Sequence, residues 1–470
     1  MKQILTIISC LLLFACKQGA NARKETVLLS NSSHNASCVS FTPDETGRPV
    51  VSWCETDKSG RKFFFLSYLG KSGNAFSDAI SIPIEQNSNF HEEGMPKLAI
   101  KKDGSIVAIY ETSAPTKENK FAGFVKYVQS FDQGKTWTKP AFLHADTTAG
   151  KGHSFASIAR LSDGEIGACW LDVSFGDRKG GRSVKFSKTS GKNGFTGETL
   201  IDSFACQCCR TAISCDASGN IAVMFRDVLQ DSIRDMSICM SADNGRTFSS
   251  PVAFTNDGWV INGCPHNGPS VIRSGNRAYA AWFTGGMHKG VYYAEMNESD
   301  EVIERRTISS NGRNIQLCLL PDKNRVLAYS ETVKTADTFY SKVVVDKIND
   351  HKMWTMDISK PGEQAAYPVI HPAGSSEFVV AWENSGKIYY RIIDAGAIQL
   401  PVKLPEQMPV KELVRSEVIK LSANSDLVCG MPVKAGVEDT AHYKGKVYGF
   451  CAKECKEEFL KDPKQYLTAK

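Results

Sequence analysis

The sequence has little that would place it across a membrane or on a nucleic acid. Beyond residue 14 no run approaches the roughly 18 consecutive apolar residues that a spanning helix needs. Its 56 Lys and Arg stand against 51 Asp and Glu for a formal charge of +5, dispersed without a long basic block, so the electrostatic footprint of a nucleic-acid binder is missing. Helical periodicity is scarce too, and what patterning there is points to strands. Cysteine, by contrast, is plentiful: fifteen occur in 470 residues, three of them within "ACQCCR" at 205–210. Neighbours such as Cys208 and Cys209 do not readily close a relaxed disulfide with each other, because a trans peptide points their Cβ vectors apart. Distant cysteines or a metal ion should hold them.

The chain opens "MKQILTIISCLLLFACKQ", with one lysine, an apolar run from Ile4 to Phe14, and a small residue before Cys16. This is the shape of a signal peptide and is too short for a span. Leu13-Phe14-Ala15-Cys16 resembles the bacterial lipobox, whose cysteine is acylated after cleavage. The resemblance implies a lipoprotein signal peptide over 1–15, lipidation at Cys16 and a tether over 16–24. The chain would then be exported and held by lipid alone on the periplasmic face of a bacterial envelope, at the outer membrane if the cell has two. An ordinary cleaved leader with an incidental cysteine is the plainer alternative. Removing Cys10 and Cys16 leaves an odd number, thirteen, so complete pairing is excluded even though an oxidising compartment permits several bridges.

A unit of roughly forty to fifty residues repeats along the chain, the period of propeller blades. Its core recurs seven times, as "DETGRPVVSWCE", "KDGSIVAIYE", "SDGEIGACWLD", "ASGNIAVMFRD", "SGNRAYAAWFTG", "DKNRVLAYSE" and "GSSEFVVAWEN". Each is a Gly or Asn turn followed by an alternating strand that closes on an aromatic residue. Between them sit "SFDQGKTW" at 130–137 and "SADNGRTF" at 241–248. In these hairpins Asp132 and Asp243 can accept amide hydrogen bonds from their own loop, while Gly134 and Gly245 supply positive φ. The two segments resemble the Asp-box (BNR repeat) of sialidase-like β-propellers, over about residues 25–400. The implied fold is mainly β, with seven units and six blades as the alternative count, and "ETVLLS" at 25–30 should close the ring in the last blade.

Sialidases grip a carboxylate with three arginines and use a Tyr–Glu nucleophile and an Asp acid at the propeller mouth. Arg160, Arg210, Arg226, Arg234, Tyr292 and Tyr293 are the candidates here. The family's early Phe-Arg-Ile-Pro-like motif is missing, and Arg226–Asp227 and Arg234–Asp235 serve equally as structural ion pairs. No catalytic residue is assigned. "CQCCRTA" and "GCPHNGP" each precede an inner strand, so their loops should converge on one face of the ring. Cys206, Cys208, Cys209, Cys264 and His266 would there form a sulfur-rich site for Cu(I) or Zn(II); a pair of disulfides is the alternative.

After a Pro-rich linker over 401–424 comes "DLVCGMPVKAGVEDTAHYKGKVYGFCAKECKEEFLKDPKQYL". Val428-Cys429-Gly430-Met431, the strand ending at Cys451, Cys455 on a helix, Phe459, Asp462-Pro463 and Tyr466-Leu467 resemble the YHS domain, a small α+β module related to TRASH-type heavy-metal-binding folds, over 425–470. The four-residue offset puts Cys451 and Cys455 one helical turn apart, and the Cys429-Gly430 turn can bring a third sulfur across. Lys453 and the start of the helix should ease deprotonation of the thiols. His442 is the candidate fourth ligand, although the Tyr-His-Ser triplet is absent; a disulfide between two of the three cysteines is the alternative.

The sequence therefore predicts an exported lipoprotein that binds a soft transition-metal ion, copper in the first place and zinc otherwise, for trafficking or tolerance. Its partner would be an envelope metalloprotein or metal transporter, and nucleic acid is not expected. The rival readings are an exo-sialidase-like glycoside hydrolase and a propeller that recognises glycans or proteins without catalysis.

Overall fold

The computed structural model describes residues 25–173, 180–230, 232–261, 263–286, 288–299, 301–336, 338–349, 352–408, 422–423, 425–431, 433, 439–444 and 446–467. The signal peptide, Cys16, the tether and most of the expected linker lie outside them. Seven antiparallel sheets of four or five strands follow one another along the chain, so the seven sequence units are seven blades. The innermost strands are Asn35–Pro43, Lys97–Ile100, Ser154–Arg160, Ala212–Cys215, Ser270–Ser274, Gly312–Leu319 and Ala365–Pro372. The repeated apolar segments form the second strands: Pro49–Thr56, Ile106–Ser113, Ile166–Leu171, Ile221–Arg226, Arg277–Thr284, Arg325–Lys334 and Glu377–Asn384. Val27–Leu28 pairs with Tyr389 and Tyr390 of Lys387–Asp394, joining the start of the described chain to the seventh blade.

Second strands are buried on both faces because each lies between two neighbouring blades. Val50 and Cys54 pack toward the second blade, whereas Val51 and Trp53 pack toward the seventh. This two-sided burial is the reason these segments read as nearly continuous apolar runs. The core is accordingly a ring of seven inter-blade layers. Cys54, Cys169, Cys239 and Cys318 belong to these layers as small buried hydrophobes.

Carboxylates at the ends of second strands pin this ring. Trp53 donates to Glu55 at 2.8 Å and Trp170 to Asp172 at 2.6 Å, a pairing that period two allows because residues i and i+2 share a face. Glu383 accepts the Cys38 amide at 2.7 Å and Glu111 the Phe155 amide at 2.6 Å. Both amides belong to bulged residues at positive φ, 61° and 57°, at the start of the next blade's inner strand. The Asp-box turns have the expected chemistry. Asp132 accepts the Thr136 amide at 2.8 Å, Asp243 accepts that of Thr247 at 2.9 Å, and Gly134 and Gly245 stand at φ 90° and 79°.

The C-terminal module is a hairpin, Asp439–Tyr443 with Lys446–Phe450, followed by α1 (Lys453–Lys461) and α2 (Pro463–Leu467). Asp462-Pro463 ends α1, since proline disfavours helix in the preceding residue. Ala441, Tyr448, Phe450 and Phe459 are its buried core, little for an independent unit. Among the described residues no helix is long and apolar enough to cross a membrane.

Candidate metal centres

The tail site is assembled from a turn, a strand end and a helix start. Asp426 begins the turn: its carbonyl accepts the Gly430 amide at 2.8 Å, and Gly430 takes φ +77°, which glycine adopts without a Cβ penalty. One Asp426 carboxylate oxygen accepts the Val428 amide at 2.8 Å and the Cys429 amide at 3.4 Å; the other accepts the Cys451 amide at 2.8 Å. A single buried carboxylate thus ties the Cys429 turn to the end of the hairpin. Burial opposes its charge, but the amides of Cys451 and Val428 outweigh that and hold its pKa at about 2.

The Sγ atoms of Cys429 and Cys451 lie 3.3 Å apart and those of Cys451 and Cys455 3.9 Å apart. Together with an Asp426 oxygen they form one group within 4.8 Å. Sulfurs around a tetrahedral ion with metal–sulfur bonds of about 2.3 Å would stand about 3.8 Å from one another, so this donor set fits a soft or borderline cation. Cys429 and Cys451 are exposed at the surface.

The Asp426 carboxylate, not singled out from the sequence, stands beside the three thiols; the expected ligand His442 lies in the hairpin opposite Val447, and its side chain is outside the described part. One expectation changes: Cys451 and Cys455 are harder to deprotonate than an ordinary thiol. The Cys429 thiol and the Asp426 carboxylate push Cys451 up, while burial, Cys429 and Asp426 raise Cys455 to about 11. Lys453, expected to act the other way, is turned to Glu457 at 3.5 Å.

The propeller cluster is built from three loops that each lead into an inner strand. Cys206, Cys208 and Cys209 are buried with Phe204 and Val228, and the Cys206 amide donates to the Arg226 carbonyl at 2.9 Å. Their sulfurs form one candidate group, with Cys206 and Cys208 3.9 Å apart. Cys208, Cys264 and His266 form a second, and Cys264 and His266 are exposed. The two loops singled out in the sequence therefore meet. His266 sits at φ +45°, an uncommon conformation for a non-glycine residue. The third loop, before Lys97–Ile100, was not anticipated. Its Glu93 accepts the Gly268 amide at 2.7 Å and pairs with the buried Arg210, and its His91 ring lies 5.2 Å from that of His266. "HEEGMP" at 91–96 occupies the same blade position as "GCPHNGP", and that equivalence was the available signal.

The thiols of the buried trio share protons unequally. Hydrogen bonds from Cys208 and Cys209, with the charge of Arg226, hold Cys206 below the ordinary thiol range, whereas Cys208 and Cys209 are pushed up. All thirteen described cysteines are free thiols.

The residues matched to a sialidase site are occupied elsewhere. Arg160, the last residue of its inner strand, donates to the carbonyls of Asp44 and Ile100. Arg210, at the opposite end of the channel of about 760 Å³ lined by the inner strands, is paired with Glu93. Arg226 donates to the carbonyls of Arg234, Asn267 and Phe283, not to its sequence neighbour Asp227, because adjacent strand residues point to opposite faces. Asp235 accepts the amides of Gly258 and Trp259. Tyr292 and Tyr293 are buried between blades, with their hydroxyls on the His288 carbonyl and on Arg325.

These features define a seven-bladed β-propeller carrying a small cysteine module. Residues 82–258 match the BNR repeat-like domain and residues 425–470 the YHS domain, so the chain joins a BNR-type propeller to a YHS domain. No curated protein matches it significantly. Similar solved structures include a protein of unknown function from Dyadobacter fermentans DSM 18053, 17% identical, covering 64% of this chain and 93% of that one with a TM-score of 0.43. The Hadza microbial sialidase Hz136 is 12% identical, with 72% and 74% coverage and a TM-score of 0.41. The polysaccharide lyase Uly1 is 12% identical, with 80% and 90% coverage and a TM-score of 0.48. The YHS match and the cysteine clusters both point to metal binding.

Proposed function

We propose that this is an exported lipoprotein, anchored through Cys16 in a bacterial envelope, that binds a soft transition-metal ion in its YHS domain and passes it to, or takes it from, an envelope metalloprotein or metal transporter. Copper is the ion we favour. The observation that carries this reading is the grouping of Cys429, Cys451 and Cys455 around the oriented carboxylate of Asp426. Thiolates select Cu(I) and Zn(II) over harder ions, and exposed ligands suit an ion that must be handed over. Cys429, Cys451 and Cys455 would hold the ion, with Asp426 fixing the main chain of Cys429 and Cys451. A cation there reverses the electrostatics that keep Cys451 and Cys455 protonated, so loading releases protons.

The test is anaerobic elemental analysis and Cu(I) competition titration of the mature chain beside its Cys429→Ser/Cys451→Ser/Cys455→Ser variant. Loss of the tightest-bound ion in the variant is expected; equal binding by both proteins would end the proposal. Glycoside hydrolysis is the second reading, on the propeller class alone, and release of a chromogenic sialoside would support it.

A further inference from the structure

The five ligands at the propeller mouth do not form one cage. They form two triads that overlap in a single atom, the Cys208 sulfur: Cys208, Cys264 and His266 on the outside, Cys206, Cys208 and Cys209 beneath. The inner residues are only 2–6% exposed, whereas Cys264 and His266 face solvent. The Cys208 sulfur thus joins an exposed pair of ligands to a buried pair. We propose that the mouth of the propeller is a two-position Cu(I) site, in which the outer triad captures the ion and the inner triad retains it, with Cys208 bound throughout.

The chemistry differs between the positions. The outer triad mixes two sulfurs with an imidazole. The inner one offers three sulfurs and, among the described residues, no His, Cys or carboxylate atom that joins them as a fourth, which suits a soft ion content with three donors better than Zn(II), which in structural sites is almost always four-coordinate. Transfer exchanges Cu–Sγ(Cys264) and Cu–Nε2 or Cu–Nδ1(His266) for Cu–Sγ(Cys206) and Cu–Sγ(Cys209). Cys206 and Cys209 give up their thiol protons, one being returned to the freed Cys264 thiolate and the other leaving to solvent, and copper remains Cu(I), so no electron moves. Three buried thiolates around one Cu(I) carry net negative charge, which is costly away from water unless countered. Arg226 supplies that charge. Its buried guanidinium is held by three neutral carbonyls and stacked 4.7 Å over Trp259, and its own carbonyl accepts the Cys206 amide at 2.9 Å.

The loop geometry serves the outer position. Gly268 has no room for a Cβ, which would stand 2.6 Å from the Arg210 carbonyl oxygen. Glu93 clamps the Gly268 and Arg210 amides together, so the His266 loop and the cysteine loop are locked to one carboxylate from a third loop.

This proposal does not rest on the tail site, and the test separates them. The mature chain carrying Cys429→Ser, Cys451→Ser and Cys455→Ser is titrated anaerobically with Cu(I) against a chromogenic chelator, and loading is followed by stopped flow. This parent should still bind Cu(I). Adding Cys264→Ser and His266→Ala, both at exposed positions, should slow loading about tenfold or more while equilibrium affinity stays within about threefold. Adding Cys206→Ser should instead weaken affinity by more than the about 10–100-fold typical of an outer-shell loss, with the capture phase retained. Cys208→Ser should remove both. No Cu(I) binding by the parent, a Cys264/His266 variant that loads at the parent's rate, tighter binding of Zn(II) than of Cu(I), or a Cys206–Cys208 disulfide in the anaerobic protein would each overturn the proposal. Matching thermal unfolding curves verify that each variant is folded.

Discussion

Replacing Asp426 by asparagine tests how the tail site is organised. The carboxylate takes the Val428 and Cys429 amides on one oxygen and the Cys451 amide on the other. Asparagine keeps one acceptor but turns the second position into an NH2 group facing the Cys451 N–H. The loss is one charge-assisted hydrogen bond, about 1.5–3 kcal/mol, and it falls on the main chain that carries two of the three thiols. At about 1.4 kcal/mol per decade, Cu(I) affinity should drop about 10–100-fold, the range seen when groups behind a ligand are removed, with stoichiometry unchanged. Competition titration of the full chain reads this, with the triple serine variant of the tail as the floor. Affinity equal to the parent's would refute the organising role. A fall to the floor would make Asp426 a direct ligand instead.

Gly268→Ala should destabilise the propeller by about 1–3 kcal/mol through overpacking, read as a lower denaturant midpoint; Gly263→Ala, whose Cβ would meet only Ile261 at 3.8 Å, should be close to neutral. Burial, with the charge of Glu92 behind it, raises Glu383 from the ordinary 4.5 to about 8. The folded state therefore holds a proton that the unfolded chain releases, and stability is lost as pH rises from about 4.5 to about 8, by at most about 1.4 kcal/mol per unit. Glu383→Gln should accordingly be more stable than the parent at pH 8, with the advantage shrinking toward pH 4.5; a pH-independent difference would contradict the assignment. In metal-free native protein a thiol reagent should modify Cys264, Cys429 and Cys451 first and reach Cys54, Cys169, Cys239 and Cys318 only on unfolding, and Cu(I) should protect the first set.

The blade count, the Asp-box turns and the place of Val27–Leu28 were legible in the residues, because each depends on contacts within a short stretch or on a repeated pattern. The convergence of "CQCCRTA" with "GCPHNGP" was legible as well, since both precede inner strands of one ring. Arg226 turns to three main-chain carbonyls rather than to the Asp227 pairing offered as an alternative, because strand neighbours face apart. Lys453 failed as an activator because helical spacing offered it Glu457. The part of Asp426 was hidden in an ordinary-looking aspartate three residues before a cysteine.

By itself the sequence determined which local units exist: strands of period two, tight glycine turns, and a spacing from Cys429 to Cys451 to Cys455 that a turn, a strand end and a helix start can close. Only the tertiary structure decided which thiols pack between blades, that Cys208 would be common to both groups at the mouth, and that Glu93 would bind Arg210 and Gly268 from 117 and 175 residues away. The reason is that ring closure fixes such neighbours collectively: a blade's side chains meet partners chosen by the position of every other blade, which no local pattern encodes.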